Sequence, residues 1–196
     1  MGQVFGALAL AMAAVAAVPA GAATYVCGAG AALPDLNACV AAALADPAVI
    51  AGGRQQQDIL FQIAPGGITM SSPQKVAGWN AGSHRTSIQP APGGGFRDFL
   101  RAHPDSPLYF NRAYGAFLEQ TADAVALDID VDNVSVSGVQ ISQTVSSGAS
   151  AVVLGRNVKT ALLDSDVVVW AGSKDNAPGL VSVNPMATIT VQNSLF

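Results

Sequence analysis

Charge is what this sequence carries least of. Nine basic and thirteen acidic side chains, 11% of its 196 residues, leave a formal charge of -4 with no basic run anywhere. A nucleic-acid partner needs a phosphate-neutralising surface, and no stretch of the sequence supplies one. Histidine is nearly absent, with His84 and His103 alone, and cysteine is limited to Cys27 and Cys39. Beyond the N-terminal segment no apolar run is long enough to span a bilayer. In place of charge stands an aliphatic composition, 51% hydrophobic, which suits one domain with a substantial core and excludes a disordered chain.

The N-terminal segment is of a different kind. Val4 to Val18 is an alanine-rich apolar run, and Ala20-Gly21-Ala22 has the small-x-small pattern of an export cleavage site. Residues 1–22 are expected to be a signal peptide removed after Ala22, leaving 23–196 as a secreted, periplasmic or cell-surface domain with no membrane span. An uncleaved anchor is the alternative, because Met1-Gly2-Gln3 has no Lys or Arg and the small apolar stretch extends to Ala23.

Export makes the two cysteines informative. In an oxidising compartment Cys27 and Cys39 suggest one local disulfide. Two buried thiols and a metal pair are the competing readings, the last lacking nearby histidines. Asp35 is placed to cap a helix in which Leu36, Cys39, Val40, Ala43 and Leu44 recur at helical spacing on one face. Pro47 stops that helix, and the short strand Thr24–Val26 before it brings Cys27 towards Cys39.

From Asp58 onward the pattern turns from helical to β. Asp58-Ile59-Leu60-Phe61-Gln62-Ile63 reads as a strand closed by Ala64-Pro65-Gly66-Gly67, with Ile68–Met70 and Thr86–Gln89 as further short strands. Residues 23–57 then form an N-terminal cap, and 90–114, rich in Gly, Pro and aromatics, a loop insertion. The clearest repeats lie in 124–196. A shift of 27 lays Ala124, Val125 and Leu127 on Ala151, Val152 and Leu154. It also lays Val134, Val136, Gly138 and Ile141 on Ala161, Leu163, Ser165 and Val168. A shift of 28 carries Ala161, Leu163, Ser165 and Val168 to Ile189, Val191, Asn193 and Phe196, and Val152 to Leu180. There Leu154 meets Ser182 and needs one more residue to reach Val183. Alternation within each strand has period two, so alternate side chains turn inward, and a lone repeat cannot bury them. Stacking coils about 4.8 Å apart solves that, with Val125, Val152 and Leu180 expected in one interior row.

These features resemble the pectin lyase-like superfamily of right-handed parallel β-helix proteins. The likeness rests on the helix Leu36–Ala43 followed by Asp58–Ile63 and its Pro-Gly turn, and on the coil-like runs Asp132–Ile141 and Ala187–Phe196. It implies an all-β fold, a right-handed parallel β-helix or solenoid with an N-terminal capping helix. Because Phe196 falls inside a strand, the C-terminus is expected to be truncated mid-coil. Members include polysaccharide lyases, glycoside hydrolases, phage tailspikes and exported surface proteins, so the resemblance speaks to fold and not to activity. The paired Asp and His motifs of the family's polygalacturonases are missing, as is the Asp-His and Arg arrangement of its pectate lyases.

Candidate chemistry is sparse. Asp128, Asp130 and Asp132 alternate with Leu127, Ile129 and Val131, so they project from one outward strand face where three carboxylates suit Ca²⁺; the alternative is an ordinary polar face ending in an Asp132-Asn133 turn. His84, and His103 with Asp105 close by, have no nucleophile motif beside them and read as surface-loop residues. Gly148-Ala149-Ser150-Ala151-Val152 lacks the second glycine of a nucleophile elbow. Arg97, Arg101, Arg112 and Trp79 suit a sugar-binding groove, or anchor the loop to the coils. The expectation is an exported surface or carbohydrate-contacting segment without a recognisable active site. The alternative is a fragment of a polysaccharide lyase or glycoside hydrolase whose catalytic coils are missing or diverged.

Overall fold

The computed structural model describes residues 21–95, 115–143, 149–164, 168–170 and 179–194. The apolar run Val4–Val18, most of the 90–114 loop with Arg97, Arg101, His103, Asp105 and Arg112, and also Gly148, Ser165 and Phe196, lie outside the described residues.

The chain opens with β1 (Ala23–Cys27), α1 (Leu36–Ala45) and a short antiparallel pair, β2 (Ile50–Ala51) with β3 (Arg54–Gln55). It then repeats one circuit of three strands. The first circuit is β4 (Ile59–Ile63), β5 (Ile68–Met70) and β6 (Gln74–Val76), and the second is β7 (Thr86–Pro90), β8 (Phe117–Gln120) and β9 (Leu127–Ile129). The third is β10 (Val134–Ser137), β11 (Gln140–Gln143) and β12 (Val152–Leu154). After it come β13 (Thr160–Asp164), β14 (Val168–Trp170) and β15 (Leu180–Ser182), and β16 (Thr188–Gln192) begins another.

Strands with the same place in the circuit pair in parallel. The first sheet runs β1-β4-β7-β10-β13-β16, the second β5-β8-β11-β14 and the third β6-β9-β12-β15. Parallel neighbours need a long crossover, and here the other strands of the circuit supply it instead of a helix. The fold is all-β with parallel sheets, as expected.

Period-two alternation turns one side of each strand into a shared core. Tyr25, Phe61, Ile88, Val136, Leu163 and Val191 stand side by side across the first sheet. Phe61, Ile88, Val136 and Leu163 are buried, whereas Val191 on the last strand is 44% exposed. The expected partners Val134, Ala161 and Ile189 are in register.

In the third sheet the interior row is Leu127, Val152 and Leu180, so Val125 is displaced from the place expected for it. The two-residue slip preserves which side faces inward, and hydrophobic alternation alone cannot detect it. Likewise Ile141 pairs with Val169 and not Val168, because corner lengths differ between circuits while strand pairing does not. Leu154 pairs with Ser182 directly, and Val183 donates its N–H to Leu154 O at 2.8 Å without taking the row position.

The interior is less uniformly aliphatic than its pattern suggests. Gln120 and Gln143, neighbours on β8 and β11, are fully buried at a corner. Gln143 Nε2 donates to Ala122 O and Ala124 O at 2.7 Å each, and Gln120 Nε2 to Val125 O at 3.1 Å. A corner bends the chain out of its ladder and strands carbonyls inside, and a glutamine amide satisfies them.

Helix α1 closes the N-terminal end of this core. Asp35 Oδ1 accepts the Ala38 N–H at 2.7 Å, a cap contributing about 1 kcal/mol. Leu36, Cys39, Val40 and Ala43 are buried as expected, but Leu44 is 42% exposed, lying over Gly78 with no side chain there to pack against. Asn37 completes the edge of β6: its Nδ2 donates to Pro73 O at 3.0 Å and its Oδ1 accepts the Lys75 N–H at 2.7 Å. Cys27 and Cys39 form a disulfide and are fully buried, which settles the alternatives for this pair. Among the described residues no helix is long and apolar enough to cross a membrane.

Candidate functional site

One corner, where each circuit leaves the third sheet for the first, holds much of the exposed charge among the described residues. That corner contains the three aspartates. Asp128 faces outward on β9 between Lys75 and Val153. Asp130 accepts the Asn157 N–H at 2.8 Å and Asn157 Nδ2 at 2.9 Å. Gly155 lies against the Asp130 carboxylate, so closely that a β-carbon there would collide with it. Asp132 Oδ1 accepts four donors: the N–H groups of Asn133 (2.8 Å), Lys159 (2.9 Å) and Thr160 (2.8 Å), and the Thr160 hydroxyl (3.1 Å). Asp130 and Asp132 therefore clamp the turn Gly155–Thr160 of the following circuit, satisfying N–H groups that the ladder leaves open. Among the described residues no group of three His, Cys, Asp or Glu side chains is placed to hold a metal ion.

Burial acts to raise the Asp132 pKa, but the hydrogen bonds from Thr160, Asn133 and Lys159 outweigh it and hold the carboxyl below its ordinary value. A depressed folded-state pKa stabilises the fold above the unfolded value of about 3.9, and the contribution is lost as pH falls through the folded value. Asp132→Ala is accordingly expected to cost about 1–2 kcal/mol at neutral pH. Urea unfolding of both proteins across pH checks this, and the gap between them should close as pH falls below the ordinary carboxylate range. A constant gap throughout that range would contradict the clamp.

His84 faces Asp58, with Nδ1 at 3.6 Å from Oδ1. The same Oδ1 accepts the Arg85 N–H at 2.9 Å. His84 lies between β6 and β7 with its side chain partly exposed.

Trp79 belongs to the core at 6% exposure, its indole N–H held by Gln55 Oε1 at 3.0 Å, and only its margin lines a groove. Gln55 also accepts the Thr86 hydroxyl and donates to Gln57 O and Arg85 O, so the amide is fully spent in joining successive circuits.

Above the edge of Trp79 runs a groove of about 540 Å³, lined by Gly78, Asn80, Asp130, Asp132, Arg156 and Lys159 among others. Asp130 is bonded through both oxygens, to Asn157, and Asp132 through Oδ1. Arg156 and Lys159 are exposed and form no ion pair with a described residue. The groove thus offers two exposed cationic side chains beside aspartates whose oxygens, Asp132 Oδ2 apart, already take hydrogen bonds. Sequence reasoning missed Arg156, Lys159 and Asn80, which are brought together only by stacking. The available signal was that Lys159 and Thr160 fall one repeat after Asp132 and Asn133.

Comparison with family models, with curated proteins and with solved structures returned no match.

Proposed function

We propose that this chain is an exported right-handed parallel β-helix of the pectin lyase-like kind, and that its corner groove contacts carbohydrate without turning it over. The recurring three-strand circuit supports the helix reading, with α1 as its cap. The buried disulfide and the small-x-small site at Ala22 support export to an oxidising compartment. One observation carries the binding reading: the groove presents Arg156 and Lys159 without an ion pair to a described residue, while Asp130 and Asp132 Oδ1 are bonded to the turn Gly155–Thr160. Guanidinium and ammonium groups suit the carboxylates of acidic sugars. Hydrolysis of a glycosidic bond needs two available carboxyl groups in facing positions, and Asp130 is bonded through both of its oxygens to Asn157.

The lyase reading has its own support. Asp130 and Asp132 stand one circuit away from Arg156 and Lys159, so acid and base residues are stacked on adjacent circuits. A single assay separates the two. Acidic and neutral polysaccharides are tested by affinity electrophoresis and then examined for new unsaturated ends. Binding to acidic chains without new ends is the expected result, and Arg156→Ala with Lys159→Ala should weaken it by about tenfold. Unsaturated ends in the product would favour the lyase, and indifference to every polysaccharide would end the binding reading.

A further inference from the structure

Beside the groove, and sharing Asn80 with it, lies a separate recess of about 400 Å³ lined by Arg54, Gln55, Asn80, Gly82, Ser83 and His84. Its hydrogen-bonding inventory is one-sided. Both side-chain amide oxygens around it are already used: Asn80 Oδ1 takes the Gly82 N–H at 2.9 Å, and Gln55 Oε1 takes Trp79 and Thr86. Gln55 Nε2 is spent as well. The donors remain. The Arg54 guanidinium, the Asn80 amino group and the Ser83 hydroxyl bond to no described residue, and neither does His84 Nε2, a donor in the imidazolium form. Asp58, the carboxylate nearest to His84, is turned to the Arg85 N–H and the other face of the imidazole.

A recess whose amide oxygens are spent while a guanidinium, an amide N–H₂ and a hydroxyl are left over is complementary to a ligand rich in acceptors, above all an anion. The number of donors selects among anions. One guanidinium fork serves a planar carboxylate in full and would leave Asn80 and Ser83 idle. A tetrahedral oxyanion presents oxygens in several directions and uses donors from both β3 and the Asn80–His84 loop. We propose that this recess binds a tetrahedral oxyanion, phosphate or sulfate, free or as an ester on a larger molecule.

The proposal does not depend on the carbohydrate reading, because the small ions alone are the probes. The full chain is titrated with sodium phosphate, sulfate and acetate at constant ionic strength, and the imidazole resonances are followed by NMR. With two histidines in the chain, His84 is assigned from a His84→Gln variant. Saturable shifts of the His84 signals are expected with phosphate or sulfate, the stronger of the two naming the ion. A sugar phosphate binding more tightly than inorganic phosphate would point to an ester as the natural source, and equal affinity to the free ion. Arg54→Ala should weaken binding by about tenfold and Arg54→Lys by less, whereas Lys75→Ala, on the outward face of β6, should leave it unchanged. Equal response to acetate and phosphate, or unaltered affinity in Arg54→Ala, would overturn the assignment. If the carbohydrate assay fails while phosphate still titrates His84, the groove reading falls and this one stands.

Discussion

Replacing Phe61 with alanine should destabilise the protein by about 3–5 kcal/mol, the range for deleting a fully buried aromatic side chain. Phe61 lies on β4, whose five residues are all buried, and its ring packs against Tyr25 with centroids 5.9 Å apart. On its other side Ile88 occupies the same interior position one circuit later. A cavity there removes contacts on two neighbours at once. Strands of successive circuits pair only with their neighbours, so that matters more than its volume if cohesion between circuits is a sum of nearest-neighbour interfaces. The same inward row supplies its control. Val191, at the last strand, is already 44% exposed, so Val191→Ala should cost well under about 1 kcal/mol on transferred area alone. Urea unfolding of the two variants in parallel measures the gradient along the row. Equal costs would mean that Phe61 and Val191 do not belong to one stack.

Much of this architecture was legible in the sequence for a simple reason: the strongest signals were local. Asp35, the apolar face from Leu36 to Ala43 and the proximity of Cys27 and Cys39 are all decided within two turns of chain. Register in the first sheet was also readable, because Val134, Ala161 and Ile189 occupy strands with full alternation. In the third sheet the strands are only three residues long, and alternation over so short a span fits Val125 or Leu127 equally well.

The glutamines escaped for a different reason. An inward amide at Gln120 or Gln143 looks like an outward one until the corner carbonyls it satisfies are known. The corner site is harder still. Asp132 and Lys159 meet across a full circuit, and whether a carboxylate is free or consumed depends on main-chain donors that no side-chain motif encodes. The aspartate triplet was therefore visible as three acids, but not as two clamps and one surface charge. The recess beside it draws on Arg54 from the hairpin and Ser83 from a loop, a pairing with no spacing rule to announce it.

Removing the disulfide is the second perturbation with a large expected effect. The bridge closes a loop with a sequence separation of 12, for which the chain-entropy account gives about 3 kcal/mol. Cys27→Ser with Cys39→Ser should lose that much, and the loss should be spatially uneven. The bridge fastens β1, the edge strand of the first sheet, to α1, which covers the end of the core. Without it the cap has its side-chain packing and the Asn37 contacts to hold it, while the circuits beyond keep every interface they had. Cooperativity in stacked repeats is transmitted only between neighbours, so the cap should open at lower urea than the later circuits. Trp79 is buried near the cap and Trp170 lies on β14, and the chain has no other tryptophan. Single-tryptophan variants therefore report the two regions separately. The Trp79 transition should move to lower urea when the cysteines are replaced, and the Trp170 transition should move less. Coincident shifts would show that the cap and the later circuits unfold as one unit, and no shift in either would show that the bridge contributes nothing that α1 packing does not already supply.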